Sequence, residues 1–96
     1  MNQNIQDSIV KWADDVFPNR TAQSGFLKLY EEMGEVLSDP HSREEWADVF
    51  ILILDIMATY GINMSDIEKA ISEKMVKNEQ RTWVLNDIGV MKHIGE

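Results

Sequence analysis

An all-α domain is the expectation for this 96-residue chain. Three observations carry it. Apolar residues recur at helical spacing in four successive stretches, proline and glycine fall between those stretches, and no segment alternates with period two for long enough to argue for a sheet. The first helix is predicted from about Asn4 to Phe17, with Ile5, Ile9, Trp12, Ala13 and Val16 on one face, and Pro18-Asn19 breaks it. A second is expected over Ala22 to Leu37, burying Phe26, Leu29, Tyr30, Met33 and Leu37. Ser38-Asp39-Pro40 reads as a turn, because proline lacks the N–H that would continue the helical ladder. Ser42, with Glu45 three residues on, has capping-box spacing and opens a third helix to about Tyr60, where Gly61 suits the stop. Ser65 and Glu68 repeat that spacing and open a fourth helix through about Arg81. Residues 1–96 are read as one domain, with a core over about 5–83 and a tail, 84–96, in which no motif is placed.

The third helix also bears on assembly. Val49 to Leu54, followed by Ile56-Met57-Ala58, is apolar nearly all the way round. A helix on the outside of a small monomer shows a polar face, and this one has almost none to show. A second copy of the chain is expected to cover it, giving a symmetric homodimer or a dimer of dimers (homotetramer). The alternative is a central helix packed on all sides within one subunit.

Composition narrows the function. The formal net charge is -8, from 9 Lys+Arg against 17 Asp+Glu, and there is no cysteine. A disulfide framework, a thiolate zinc site and a cysteine nucleophile are thereby excluded. An acidic chain is poorly suited to neutralising the phosphates of polymeric nucleic acid. The longest apolar run stops at Asp55, well short of the roughly 20 residues that span a bilayer. The N-terminal Met1-Asn2-Gln3-Asn4 lacks the basic start of a signal peptide. A soluble, cytoplasmic domain with no membrane partner is expected.

Two acidic clusters carry the chemistry. Glu31, Glu32 and Glu35 lie on the second helix, and Glu44, Glu45 and Asp48 begin the third. Spacings of three put Glu32 with Glu35, and Glu45 with Asp48, on one face each. A short turn makes the two helices antiparallel, so the pairs are expected to face each other. Four carboxylates in close company repel, and need protonation or a cation. Oxygen-only ligation selects a hard ion, Mg²⁺ or Mn²⁺, with positions left for water and phosphate. Solvated charges on helix surfaces are the ordinary alternative, and Glu45 has a second one as the capping partner of Ser42. Di-iron carboxylate bundles use Glu-x-x-His pairs, and neither His41 nor His93 has a glutamate three residues before it. On the fourth helix Lys74, Asn78 and Arg81 form one stripe, a candidate anchor for the outer phosphates. Gly34 is placed mid-helix, either for a close approach or by plain tolerance. Asp55, two turns after Asp48, is read as a buried hydrogen-bonded or interface residue. Trp12 and Trp46 are assigned to core packing, and Trp83 to packing or base stacking.

With these residues assembled, the chain resembles the MazG-like all-α nucleoside triphosphate pyrophosphohydrolases. Their paired ExxE and ExxD signature is seen as Glu32-Met33-Gly34-Glu35 and Glu45-Trp46-Ala47-Asp48, flanked by Lys28-Leu29-Tyr30-Glu31 and Val49-Phe50-Ile51-Leu52. The stretch Lys74 to Trp83, together with Trp12 and Phe17-Pro18-Asn19-Arg20-Thr21, is similar to the branch acting on purine deoxynucleotides, dATP and dGTP. Nine residues separate Glu35 from Glu45, fewer than the family's usual gap, so the turn must be tight. The resemblance implies a four-helix bundle that hydrolyses a nucleoside triphosphate to the monophosphate and pyrophosphate. It implies Mg²⁺ or Mn²⁺ on Glu32, Glu35, Glu45 and Asp48, with Glu32 or Glu35 orienting the attacking water. Lys28, Lys74, Asn78, Arg81 and Trp83 are the residues expected to bind substrate. Two alternatives stay open: a non-catalytic helical module binding nucleotide or protein, and a same-fold enzyme acting on a pyrimidine deoxynucleotide or phosphoribosyl-ATP.

Overall fold

The computed structural model describes residues 2–95. Four helices, α1 (Gln3–Val16), α2 (Ala22–Ser38), α3 (Arg43–Thr59) and α4 (Met64–Glu79), are followed by two strands, β1 (Thr82–Leu85) and β2 (Met91–Ile94). The chain divides into two units, Met1–Ser65 and Asp66–Glu96. Among the described residues no single helix is long and apolar enough to cross a membrane.

In the first unit, local chemistry sets the helix ends. Asn2 caps α1 by accepting from the Asn4 N–H at 2.8 Å. Thr21 and Ser24 form a reciprocal capping box at the start of α2. Ser42 caps α3 by accepting from the Glu45 N–H at 3.3 Å. The return bond that would complete that box is not made, which leaves the Glu45 carboxylate for other use. Gly61, at φ +72°, ends α3 in a Schellman motif, its N–H on the Ala58 carbonyl and that of Ile62 on Met57.

Both α1 and α2 pack on α3. Ala13, Val49, Leu54, Ile56 and Met64 are the buried apolar residues. Gln6 is buried with them, at 2% exposure. Its amide donates to the carbonyls of Leu54 and Ile62, each at 3.0 Å, and accepts from Gln3, so the polar group is satisfied and ties α1 to the end of α3. On α2 the close approach is at Gly25, where an added Cβ would lie 2.8 Å from Ile56 Cγ1. At Gly34 an added Cβ would meet nothing within 4 Å, so that glycine serves no close approach among the described residues.

Several residues expected in the core lie at the surface of the single chain. No residue of α2 is buried. Tyr30 is 72% exposed and Leu37 84%, and Ile5, Trp12, Val16, Phe26, Met33, Trp46 and Phe50 are exposed as well. Three helices offer α2 one neighbour, α3, so the inner stripe of α2 is covered and the remainder of its apolar surface is not.

The second unit departs from the all-α expectation. α4 begins at Met64, one residue before Ser65, so Ser65 lies inside the helix instead of capping it. Beyond α4, β1 and β2 pair antiparallel, with Trp83 opposite His93 and Leu85 opposite Met91. Asn86 closes the turn, its side-chain oxygen accepting from the N–H groups of Ile88 and Val90, and Gly89 supplies the positive φ of 79°. The tail for which no element was predicted is therefore largely a hairpin. Four-residue strands are too short to register as an alternating pattern.

Candidate active site

The tight turn between α2 and α3 brings the two acidic motifs together. Glu32, from the first, and Glu45 and Asp48, from the second, can each offer one carboxylate oxygen so that the three atoms lie within 4.8 Å of one another. All three residues are half-buried. Glu35 is exposed and stands outside this trio, although it is the strongest like-charge neighbour of Glu45. Glu45 feels the crowding most. Desolvation, followed by the charges of Glu35, Asp48, Glu32 and Glu44, holds its carboxyl above the usual range.

One cation already touches this cluster. Lys28 Nζ lies 3.3 Å from Glu31 and 3.4 Å from Glu32, and its hydrogen bonds to Glu31 and then Glu32 raise its pKa. A single flexible ammonium does not balance the charges of Glu32, Glu35, Glu45 and Asp48. The donor set is all oxygen, partly desolvated and under mutual repulsion, which is the chemistry that accepts a hard divalent ion.

A cavity of about 810 Å³ opens beside the cluster. Glu32 and Asp48 line it together with Lys28, Ile51, Trp12 and Asp55. Trp12 is half-exposed on its wall, edge-to-face with Phe17 at 5.7 Å, and does not fill the core as its spacing suggested. Asp55 is hydrogen-bonded, as expected for an acid inside an apolar run, and its partner is Arg20, from the α1–α2 turn. Sequence reading missed both that pairing and the cavity. A lone aspartate on an apolar helix signals a partner without saying which.

Lys74, Asn78, Arg81 and Trp83 belong to the second unit. Lys74 and Asn78 lie one turn apart on α4, whereas Arg81 falls beyond its end, so the stripe breaks at Glu79. The Trp83 indole N–H donates to the Asn78 carbonyl at 2.8 Å, and its ring meets His93 edge-to-face at 5.4 Å. The Asn78 side-chain oxygen is buried without a hydrogen-bond partner among the described residues.

A helical scaffold with an oxygen-only acidic trio across an antiparallel pair, beside a nucleoside-sized cavity, defines a MazG-like protein. The solved Cyanophage S-2L MazG-like pyrophosphohydrolase, bound to dGDP and three catalytic Mn²⁺ ions per active site, superposes with a TM-score of 0.82. It is 35% identical over 96% of this chain and 95% of its own. The family model for dATP/dGTP pyrophosphohydrolase matches residues 5–95, and the chain belongs to that family. Among curated relatives, a dATP/dGTP diphosphohydrolase of Salmonella phage PMBT28 is 39% identical over 95% of this chain. The chain spans 31% of that protein's length. The dATP/dGTP diphosphohydrolase of Cyanophage S-2L is 35% identical over 94% of this chain, which spans 85% of it.

Proposed function

We propose that this chain hydrolyses a purine deoxynucleoside triphosphate, dGTP or dATP, to the monophosphate and pyrophosphate with Mg²⁺ or Mn²⁺. The observation that carries the reading is the convergence of Glu32, Glu45 and Asp48 within 4.8 Å. Their repulsion, felt at Glu45, supports the reading of this cluster as a cation site. The relatives named for dATP and dGTP, and the dGDP held by the solved neighbour, supply the substrate class.

Divalent ions held there would neutralise phosphate oxygens and lower the pKa of an attacking water. Glu32, Glu45 and Asp48 would be the ligands, with Glu35 joining them or staying free. As the carboxylate outside the trio, Glu35 is the better placed of the Glu32–Glu35 pair to accept the water's proton. Lys28 lines the cavity and can trade its contacts with Glu31 and Glu32 for a substrate phosphate. Lys74, Asn78 and Arg81 are assigned to the departing pyrophosphate on residue chemistry, and Trp83 to contact with the nucleotide. The exposed apolar residues of α2 and α3 support a second copy of the chain as their cover, in a homodimer or homotetramer.

The test is a panel of nucleoside triphosphates, pyrimidines and phosphoribosyl-ATP included, with Mg²⁺ or Mn²⁺, scoring pyrophosphate against orthophosphate. Pyrophosphate from dATP or dGTP is the expected product. Glu35→Gln should lower that turnover by about 10²–10⁴-fold with helical content unchanged. Orthophosphate as the sole initial product rejects the reading. Binding without turnover of any nucleotide would leave a non-catalytic module.

A further inference from the structure

The cavity beside the acidic trio has a second end, and its polar groups are unassigned. Asp48 and Asp55 both line it from α3, seven residues apart, which is about 10.5 Å along the helix at 1.5 Å per residue. That span suits a nucleoside whose phosphates sit at the Asp48 end. Trp12 and Ile51 give the stretch between an aromatic and aliphatic wall.

At the far end four of the five N–H donors of Arg20 are committed to the protein. Its Nε and Nη2 donate to the two Asp55 oxygens at 2.7 and 2.8 Å, Nη2 also reaches Asp14 at 2.9 Å, and Nη1 donates to the Phe17 carbonyl at 3.3 Å. Both members of the Arg20–Asp55 pair are largely buried, at 18% and 14% exposure. A guanidinium so engaged does not grip phosphate; it fixes the α1–α2 turn against α3. That turn carries Asn19, which lines the same cavity and whose side-chain amide makes no hydrogen bond among the described residues. The nearby Ser24 hydroxyl is occupied in the Thr21 capping box.

We propose that the Arg20–Asp55 pair positions the distal wall of the cavity, and that Asn19, held there by it, meets the edge of the base and determines base specificity. This rests on the reading of the cavity as the substrate's. A side-chain amide presents one donor and one acceptor, and a half-turn exchanges them. The same residue therefore pairs with the N6/N7 edge of adenine or with the O6/N1 edge of guanine. A pyrimidine, one ring shorter, reaches it less well.

The full chain with Mn²⁺ is compared with Asn19→Ala, Arg20→Lys and Asp55→Asn, measuring dGDP and pyrophosphate binding by calorimetry and kcat and KM for the four deoxynucleoside triphosphates. All three variants should weaken dGDP and raise KM for dATP and dGTP by about tenfold, with kcat and pyrophosphate affinity within about twofold. The KM change should be smaller for dCTP and dTTP. A parallel loss of pyrophosphate affinity, a fall in kcat at constant KM, or unchanged dGDP binding in Asn19→Ala overturns the proposal. Asn19 is exposed, so its variant reports even where Asp55→Asn fails to fold. An unmodified chain that turns over dGTP while these results fail loses only this assignment; one that neither binds dGDP nor turns over nucleotide loses the function proposed above as well.

Discussion

Two glycines on α2, nine positions apart, should respond oppositely to the same added methyl. A Cβ at Gly25 would stand 2.8 Å from Ile56 Cγ1 and 3.1 Å from Cδ1, whereas apolar carbons rest at about 3.5–4.0 Å. Ile56 is 7% exposed, so its branched stem has little room to withdraw, and overpacking of this kind costs about 1–3 kcal/mol. At Gly34 an added Cβ meets nothing. Replacing glycine by alanine inside a helix gains about 1 kcal/mol at either site, so the gain cancels between the variants and the steric cost alone separates them. Gly25→Ala should be less stable than Gly34→Ala by about 1–3 kcal/mol, with Gly34→Ala more stable than the parent by about 1 kcal/mol. Thermal unfolding at matched concentration reads this, each 1 kcal/mol being about 4–8 °C for a domain of this size. A Gly25→Ala midpoint at or above that of Gly34→Ala would refute the packing argument. There is a functional corollary. Glu32 lies two turns beyond Gly25, so a displaced α2 moves it from Glu45 and Asp48, and Mn²⁺ should raise the midpoint of Gly25→Ala less than that of the parent.

The acidic trio makes two further predictions. Glu45→Gln removes a carboxylate held under repulsion, so it should raise the melting temperature of the metal-free protein while reducing the increase that Mn²⁺ produces; a lower metal-free midpoint would falsify the crowding argument. The pH dependence follows from the same residue. A carboxyl whose folded pKa lies above its ordinary value of 4.5 stabilises the fold below that pH and loses the contribution as pH rises through the folded value. A metal ion held by Glu45 would compete with the proton for that oxygen, so Mn²⁺ stabilisation should be weak near pH 4.5 and grow toward neutrality, a trend that melting curves across that window would show and that a flat profile would contradict.

Much of the helical scaffold and both acidic motifs are legible in the sequence, because they rest on short-range physics. The spacing of apolar residues predicts α1 to α3 within a residue or two of where they lie, Ser42 caps α3, and Gly61 stops it. Glu32, Glu35, Glu45 and Asp48 stand out by interval alone. Where the sequence misleads, the cause is that burial is a property of neighbours. Tyr30, Met33 and Leu37 have the spacing of core residues, yet the single chain leaves more than half of each exposed. The hairpin over residues 82–94 depends on pairing between two short strands, and neither strand shows enough alternation by itself.

Tertiary structure decided the remainder, for a reason of distance along the chain. Arg20 and Asp55 meet across 35 positions, and no periodicity links a turn residue to an acid inside an apolar helix. Which glycine is a contact and which is open depends on where α3 runs beneath α2. Three carboxylates form the tight group and a fourth stands aside because the crossing of two helices, set by their packing, fixes which side chains converge. Local sequence chose the helices and the acids they carry; the contacts between helices chose which of those acids share a site and what cavity lies beside them.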